Sequence, residues 1–337
     1  MDEYELVDLF AGVGGLHLAA RSLGVPAVGI EWDAGACATR RAAGLATVKG
    51  DVRAFAPANF PGANVLVGGP PCQTFSVAGH GAGRRALDDV QRFARRMADR
   101  EDITACLAEL NDPRAGLVLE PLRWALAAVD SGCPYEAVVL EQVPTALPVW
   151  EEVGKALLAE GYSVAHGVLS AEEFGVPQTR RRAVLIARRH GTAALPKPTH
   201  RRYRKKPFGT TDDLALSPWV AMGEALNRPA PFIVVSNCGS GGDVRARGRR
   251  TSAEPAPTVT GKISRNRVIA EDCTALDRLS HSEAGCLQSF PADYPWAGKD
   301  IYQQIGNATP PLLAESILAA ALDLDRSPAH TGTGSVR

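Results

Sequence analysis

Between residues 5 and 52, short apolar runs alternate with helix-patterned segments: ELVDLF, GLHLAARSLG, AVGIEWD, GACATRRAAG and VKGDV. Parallel strands need a crossover of about a dozen residues or more, and an intervening helix is the usual way to supply it. The alternation therefore commits this half of the chain to βαβ units and to an α/β fold, Rossmann-like, with a mostly parallel sheet. Further strands are expected at 64–67, 136–143 and 182–188, a helix at GLVLEPLRWALAAV, and a helical insertion of mixed pattern at 87–110. Near 189 the texture changes. Pro, Gly, Arg and Thr dominate PTHRRYRKKPFGTT and SNCGSGGDVRARGRR, which predicts a smaller, irregular second domain over 189–274 after a first domain over 1–188. Regular patterning returns over 275–322 and closes with GNATPPLLAESILAAALDLD, a helix entered through prolines, before a disordered tail at 323–337.

Length and composition allow this plan. At 337 residues with 45% hydrophobic content, the chain can bury one large core and a second, smaller one. The opening MDEYELVDLF lacks a basic region followed by an apolar stretch, and no run is long enough to span a bilayer, so an intracellular, cytoplasmic protein without a membrane partner is expected. The seven cysteines are odd in number and form no C-x-x-C pair, which argues against a disulfide framework and against a metal site. Cys37, Cys106, Cys133, Cys238, Cys273 and Cys286 read as mostly buried free thiols. A formal net charge of zero does not favour a nucleic-acid partner, but its distribution does: Arg180 to Lys206 holds eleven Lys/Arg and no acid, and RARGRR follows at 245–250. Such runs are either solvated faces or phosphate-binding surfaces, and two of them beside aromatic and apolar stretches raise the second reading.

Four constellations carry chemistry. In DLFAGVGGLHLA, residues 8–19, Gly12, Gly14 and Gly15 let the backbone turn sharply from strand to helix and approach a ligand. The next two strands end in Glu31, suited to ribose hydroxyls, and Asp51. The pattern lacks the third glycine of a dinucleotide fingerprint and has no phosphate-binding lysine, so an adenosine-like ligand with a free ribose fits it. In GGPPCQTFS, residues 68–76, two prolines restrict the backbone before Cys72, on the loop leaving the carboxyl end of a strand, where open α/β sheets bind ligands. On this stretch alone, a structural turn and a nucleophile both stay open. Glu141 in LEQV ends a further strand and would face the same crevice, where a thiolate and a carboxylic acid suit addition to a conjugated ring; a cap or salt bridge is its plainer role. In GVPQTRRRAVLI, Arg180 and Arg182 alternate along a strand and so would share a face, one for a base carbonyl and the other for a phosphate.

These segments, with QQIGNATPP, follow the order and approximate spacing of the signature motifs of the DNA (cytosine-5)-methyltransferases, which this chain resembles from residue 6 to about 322, the stretch 189–274 excepted. The resemblance implies S-adenosylmethionine as cofactor, double-stranded DNA as substrate, and a target-recognition domain in the stretch without a common pattern. It implies that a cytosine flipped from the duplex is attacked at C6 by Cys72, with Glu141 on N3 and the exocyclic amine, Arg182 on O2 and Arg180 beside it. Phe10, Gly12, Gly14, Gly15 and Leu16 would line the cofactor site, with Glu31 on the ribose, Trp32 on the adenine and Asp51 on its exocyclic amine. Val52, Pro70, Asn307 and Thr309 would complete it. Gln73 and Ser76, the basic run Arg201, Arg202, Arg204, Lys205 and Lys206, and the pair Thr258 and Val259 would meet DNA. Three departures stand out. Gln142 replaces the Asn that braces the proline-cysteine loop, Thr309 replaces a valine, and residues 84–111 lengthen the loop expected to close over DNA. The likeness further implies a bacterial or phage-borne enzyme of the restriction-modification kind, a monomer, any cognate endonuclease being a separate protein. A tRNA methyltransferase of the same family and a non-catalytic DNA-binding relative are the alternatives; a nicotinamide oxidoreductase would leave Cys72 and Glu141 unexplained.

Overall fold

The computed structural model describes residues 4–71, 81–110, 112–205, 215–236 and 248–325. Cys72, Gln73, Ser76, Lys206 and Cys238 lie outside the described residues, as do residues 326–337 of the expected tail. The first half holds β1 (Leu6–Leu9), α1 (Gly15–Ser22), β2 (Ala27–Glu31), α2 (Ala34–Ala42), β3 (Thr47–Lys49), β4 (Val65–Gly68), α3 (Gly81–Ala98), α4 (Thr104–Ala108), α5 (Glu120–Asp130), β5 (Ala137–Gln142) and α6 (Leu147–Ala159). The second holds β6 (Ser163–Ser170), β7 (Gln178–Thr179), β8 (Arg181–Arg188), α7 (Met222–Leu226), β9 (Ile233–Val235), β10 (Arg249–Thr251), β11 (Ala256–Pro257), β12 (Arg267–Ile269), β13 (Ala275–Leu276), α8 (His281–Leu287), α9 (Ile301–Asn307) and α10 (Pro311–Leu322).

Among the described residues, seven strands form one sheet in the order β3-β2-β1-β4-β5-β8-β6. The first five in that order are parallel, β8 is antiparallel to β5, and β6 is antiparallel to β8. The expected α/β fold with a mostly parallel sheet is what forms. Strand β6 escaped the sequence reading because SVAHGVLS mixes His, Gly and Ser into its alternation. The central strands read as continuous apolar runs because the sheet is covered on both faces. Val7, Leu9, Leu66, Val138 and Leu140 pack with Trp124 of α5 and Trp150 of α6. Their strand neighbours Leu6, Val65, Val67 and Val139 turn the other way, onto Leu313, Ile317 and Leu318 of α10. In register, Leu9 lies beside Ile30 and Gly68, and Gly68 beside Leu140, so the loops leaving β1, β2, β4 and β5 open on one edge.

The insertion after β4 is packed rather than free. Val90, Phe93, Ala94 and Ile103 are buried in the same core as Trp150, which anchors much of the segment expected to lengthen a closing loop. A second sheet, β10-β9-β12-β13, is antiparallel. Its strands of two or three residues bury too little alone, and Phe232, Val234 and Val268 pack on Leu279, Ala284, Leu287 and Ile305, which come from residues beyond 274.

Helix ends follow local chemistry. The Asp33 carboxylate accepts the Ala36 N–H at 2.7 Å to start α2, Ser280 and Glu283 form a reciprocal capping box on α8, and Pro311 opens α10 as its prolines predict. No described helix is long and apolar enough to cross a membrane. The expectation of mostly buried thiols fails: of the described cysteines, Cys37 is buried, Cys106 and Cys286 are half-buried, and Cys133 and Cys273 are exposed just after surface turns. No group of three metal-ligating side chains assembles among the described residues.

Candidate active site

The glycine turn begins one residue past β1. Phe10 has φ 61°, Gly12 51° and Gly14 101°, a left-handed run that glycine tolerates and phenylalanine does not without support. That support comes from Ala11 N–H on the Ile30 carbonyl at 3.1 Å and from Arg40 Nη1 on the Ala11 carbonyl at 3.2 Å. A Cβ on Gly15 would lie 1.9 Å from the Thr309 carbonyl oxygen, so only glycine lets α1 start against that strand of backbone. Glu31 closes the turn: its Oε2 accepts the Gly12 N–H at 2.8 Å and its Oε1 the Asp33 N–H at 2.7 Å. Burial raises the Glu31 carboxyl above its usual range against the pull of those backbone bonds.

Three buried groups beneath the turn went unremarked in the sequence. Arg40 is fully buried and also bonds Thr47, His17 and the Ala46 carbonyl. Neither carboxylate oxygen of buried Asp8 has a hydrogen-bond partner among the described residues. Burial pushes Asp8 up to about 7, outweighing the Arg40 guanidinium, and pushes His17 down to about 4 with Arg40 adding to it.

Glu141 extends β5 one residue past the Gly68–Leu140 pair and turns its carboxyl toward the glycine turn. Its Oε1 lies 2.6 Å from Arg182 Nε, an ion pair by distance whose alignment falls short of a hydrogen bond, which leaves that oxygen acceptor capacity. Its Oε2 accepts the Thr309 hydroxyl at 3.2 Å. Phe10, Gly12, Leu16, Gly69, Glu141 and Thr309 share the lining of one pocket, and Asn307 lines it too. Beside it, Gln142 Nε2 donates to the Pro70 carbonyl at 2.7 Å, so the longer amide does brace the proline turn that leads into Cys72.

Several expected residues sit elsewhere. Arg180 does not share a face with Arg182, because β8 starts at Arg181 and Arg180 belongs to the turn before it. It is 1% exposed, and its guanidinium donates to the carbonyls of Val259 at 3.0 Å, Gly306 at 3.1 Å and Ala308 at 3.0 Å, which leaves it no approach to a base or a phosphate. Val259 is wholly buried in the apolar cluster behind the small sheet with its N–H on Gln178 Oε1, so its side chain does not face DNA; exposed Thr258 beside it bonds the Thr179 carbonyl at 2.7 Å. Val52 points into the main core rather than toward a ligand. The Asp51 carboxylate is taken by Arg53 at 2.6 Å, which holds it below the usual carboxylate range. Trp32 is 64% exposed, an open aromatic face. In the basic run, Arg201 Nε is spent on the Leu216 carbonyl, while Arg202, Arg204 and Lys205 are exposed. A residue that sequence reasoning missed is Gln178: buried, it donates to the Leu287 carbonyl at 2.8 Å and to Gln288 Oε1 at 2.5 Å, binding β7 to α8. It stood in a quoted motif, but nothing local separates a buried bridge from a surface contact.

The profile of the C-5 cytosine-specific DNA methylases matches residues 4–92 and 137–229. The Type II methyltransferase M1.HphI of Haemophilus parahaemolyticus is 30% identical, with 95% of this chain and 87% of that protein aligned. M.NaeI of Lentzea aerocolonigenes is 28% identical over 96% of this chain and 77% of its own length. Among solved structures, the S. pombe Dnmt2 methyltransferase superposes with a TM-score of 0.62 at 16% identity, covering 95% of this chain and 98% of that one. The Entamoeba histolytica methyltransferase EhMeth gives 0.60 at 12%, covering 96% and 99%. At such identities these two likenesses speak to the fold.

Proposed function

Because the chain belongs to the C-5 cytosine-specific DNA methylase family, we propose that it methylates C5 of a cytosine flipped out of double-stranded DNA. The observation that carries this reading is the pocket that Glu141 shares with the glycine turn, on the sheet edge where the β4 loop leads to Cys72. The residues of the turn and of the neighbouring strand ends fit S-adenosylmethionine: Trp32 offers an exposed ring, Gly12 adds no side chain, and Glu31 and Asp51 suit a cationic ligand with ribose hydroxyls. Phe10, Gly12, Gly14, Gly15, Leu16, Asn307 and Thr309 would hold its methionine end and Glu31, Trp32 and Asp51 its adenosine. Asp51 would exchange Arg53 for it, and an exposed ion pair is worth little. When bound, the cofactor supplies an electrophilic methyl group.

The chain's own residues do the rest. Cys72, on the loop that Gln142 braces, adds as thiolate to C6. Glu141 passes a proton to N3 as the ring takes up that electron pair, and Arg182 orients the carboxyl and reaches O2. Once C5 carries the methyl group, its proton passes to solvent water, which re-forms the C5–C6 double bond and expels Cys72 as thiolate, while Glu141 recovers its proton from N3. Residues 189–274 would act as the target-recognition domain and meet DNA through exposed Arg202, Arg204, Lys205 and Thr258, with Lys206, Gln73 and Ser76 adding to it. The protein would work as a monomer in a bacterial cytoplasm, any cognate endonuclease being a separate chain. Mass spectrometry of nucleosides from a host expressing the chain or its Cys72→Ser variant tests this. A rise in 5-methyl-deoxycytidine that needs Cys72 is expected. 5-Methylcytidine in RNA with DNA unchanged would move the substrate to tRNA, and a fully active serine variant would rule out the covalent route.

A further inference from the structure

A glutamate's carboxyl torsion is broad, so one contact on one oxygen does not fix its plane. In this site the two oxygens of Glu141 face different partners. Arg182 Nε stands 2.6 Å from Oε1, and the Thr309 hydroxyl donates to Oε2 at 3.2 Å. Glu141 and Thr309 are each only 7% exposed, so water competes little for that bond.

The backbone that carries Thr309 is unusually constrained. Immediately before it, the Ala308 carbonyl accepts from Arg180 at 3.0 Å and from Gln288 at 3.4 Å. Its own carbonyl abuts Gly15 so closely that a Cβ there would lie 1.9 Å away. Pro310 follows and restricts it from the other side. A β-branched side chain on a held backbone has few χ1 choices, so the hydroxyl direction is set before any substrate arrives. A hydroxyl also donates or accepts as required, which lets it stay on Oε2 whether or not the carboxyl carries its proton; Arg182 can only donate.

We propose that Thr309 is a positioning residue that orients the Glu141 carboxyl toward the cytosine ring and couples that orientation to the glycine turn. The inference rests on Glu141 acting as the general acid. The test compares the wild type with Thr309→Val, which keeps shape and removes the hydroxyl, and with Thr309→Ser, which keeps the hydroxyl. Methyl transfer is measured as kcat and DNA KM, with a thermal melt of each variant to confirm folding. A hydrogen bond to a charged group corresponds to about a tenfold to hundredfold loss, expected in kcat for Thr309→Val, with DNA KM little changed. Thr309→Ser should recover most of that loss. In a Glu141→Gln background, Thr309→Val should cost nothing further. A Thr309→Val enzyme with wild-type kcat, a serine variant no better than valine, or an undiminished cost in the Glu141→Gln background would each overturn the proposal. A Glu141→Gln enzyme that transfers at the wild-type rate would instead remove the acid role itself, and the proposal with it.

Discussion

Arg180 and Arg182 stand two positions apart and part company on folding: one is buried among carbonyls, the other faces Glu141. The predictions at this scale follow from what each side chain touches. Replacing Glu141 by Gln removes the proposed proton donor while keeping size, and transfer should slow by about 100- to 10,000-fold in single-turnover assays; an equal rate would leave Glu141 a structural role. Asp8 and His17 give opposite pH dependences. The fold favours the protonated form of Asp8, so stability from this group is lost as pH rises from the ordinary carboxylate range through about 7. The fold favours neutral His17, so stability is lost as pH falls from its ordinary 6.5 through about 4. Within the shared window the two slopes offset, and above it Asp8 acts alone, with Arg40 and Glu31 its charged neighbours. Urea midpoints should therefore fall between about pH 6.5 and pH 8 in the wild type and stay level in Asp8→Asn. Parallel curves would mean that Asp8 ionises without cost.

Among the elements, α9, like α1, meets backbone at a glycine. A Cβ on Gly306 would lie 2.2 Å from Gly261 N and 2.4 Å from the Thr260 carbonyl carbon, both backbone atoms that cannot swing aside. Gly306→Ala should cost about 1–3 kcal/mol, visible in chemical denaturation, and should weaken the join between α9 and the small sheet. Trp150 of α6 is fully buried against the main sheet, and Trp150→Ala should cost about 3–5 kcal/mol. The sequence made α10 and the parallel strands legible because their signals are local: prolines before an apolar helix, unbroken apolar runs between turns. It left β6 unread because an edge strand at a sheet margin carries a weak apolar pattern, and it made α3 look like a free insertion because burial of Val90 and Phe93 depends on α6 lying alongside.

For the molecule as a whole, zero net charge conceals an uneven surface. If exposed Arg202, Arg204 and Lys205 meet phosphates, replacing each by Ala should flatten the slope of log affinity against log salt by about one unit, while Arg201, committed to Leu216, should change it less. An unchanged slope in all variants would return the run to a solvated face. Periodicity and short motifs, read along the chain, were enough to establish the βαβ frame, the glycine turn, and the order in which a cysteine, a glutamate and two arginines follow one another along the chain. Those signals need only neighbours a few residues away. Which arginine meets the acid, that Val259 turns inward, that Asp51 is held by Arg53, and that a threonine 168 residues from Glu141 bonds its carboxyl became visible only in the folded chain. Such pairings are chosen by packing among distant segments and by rotamers, and a carboxylate or guanidinium bonds whichever partner the closed structure brings within reach.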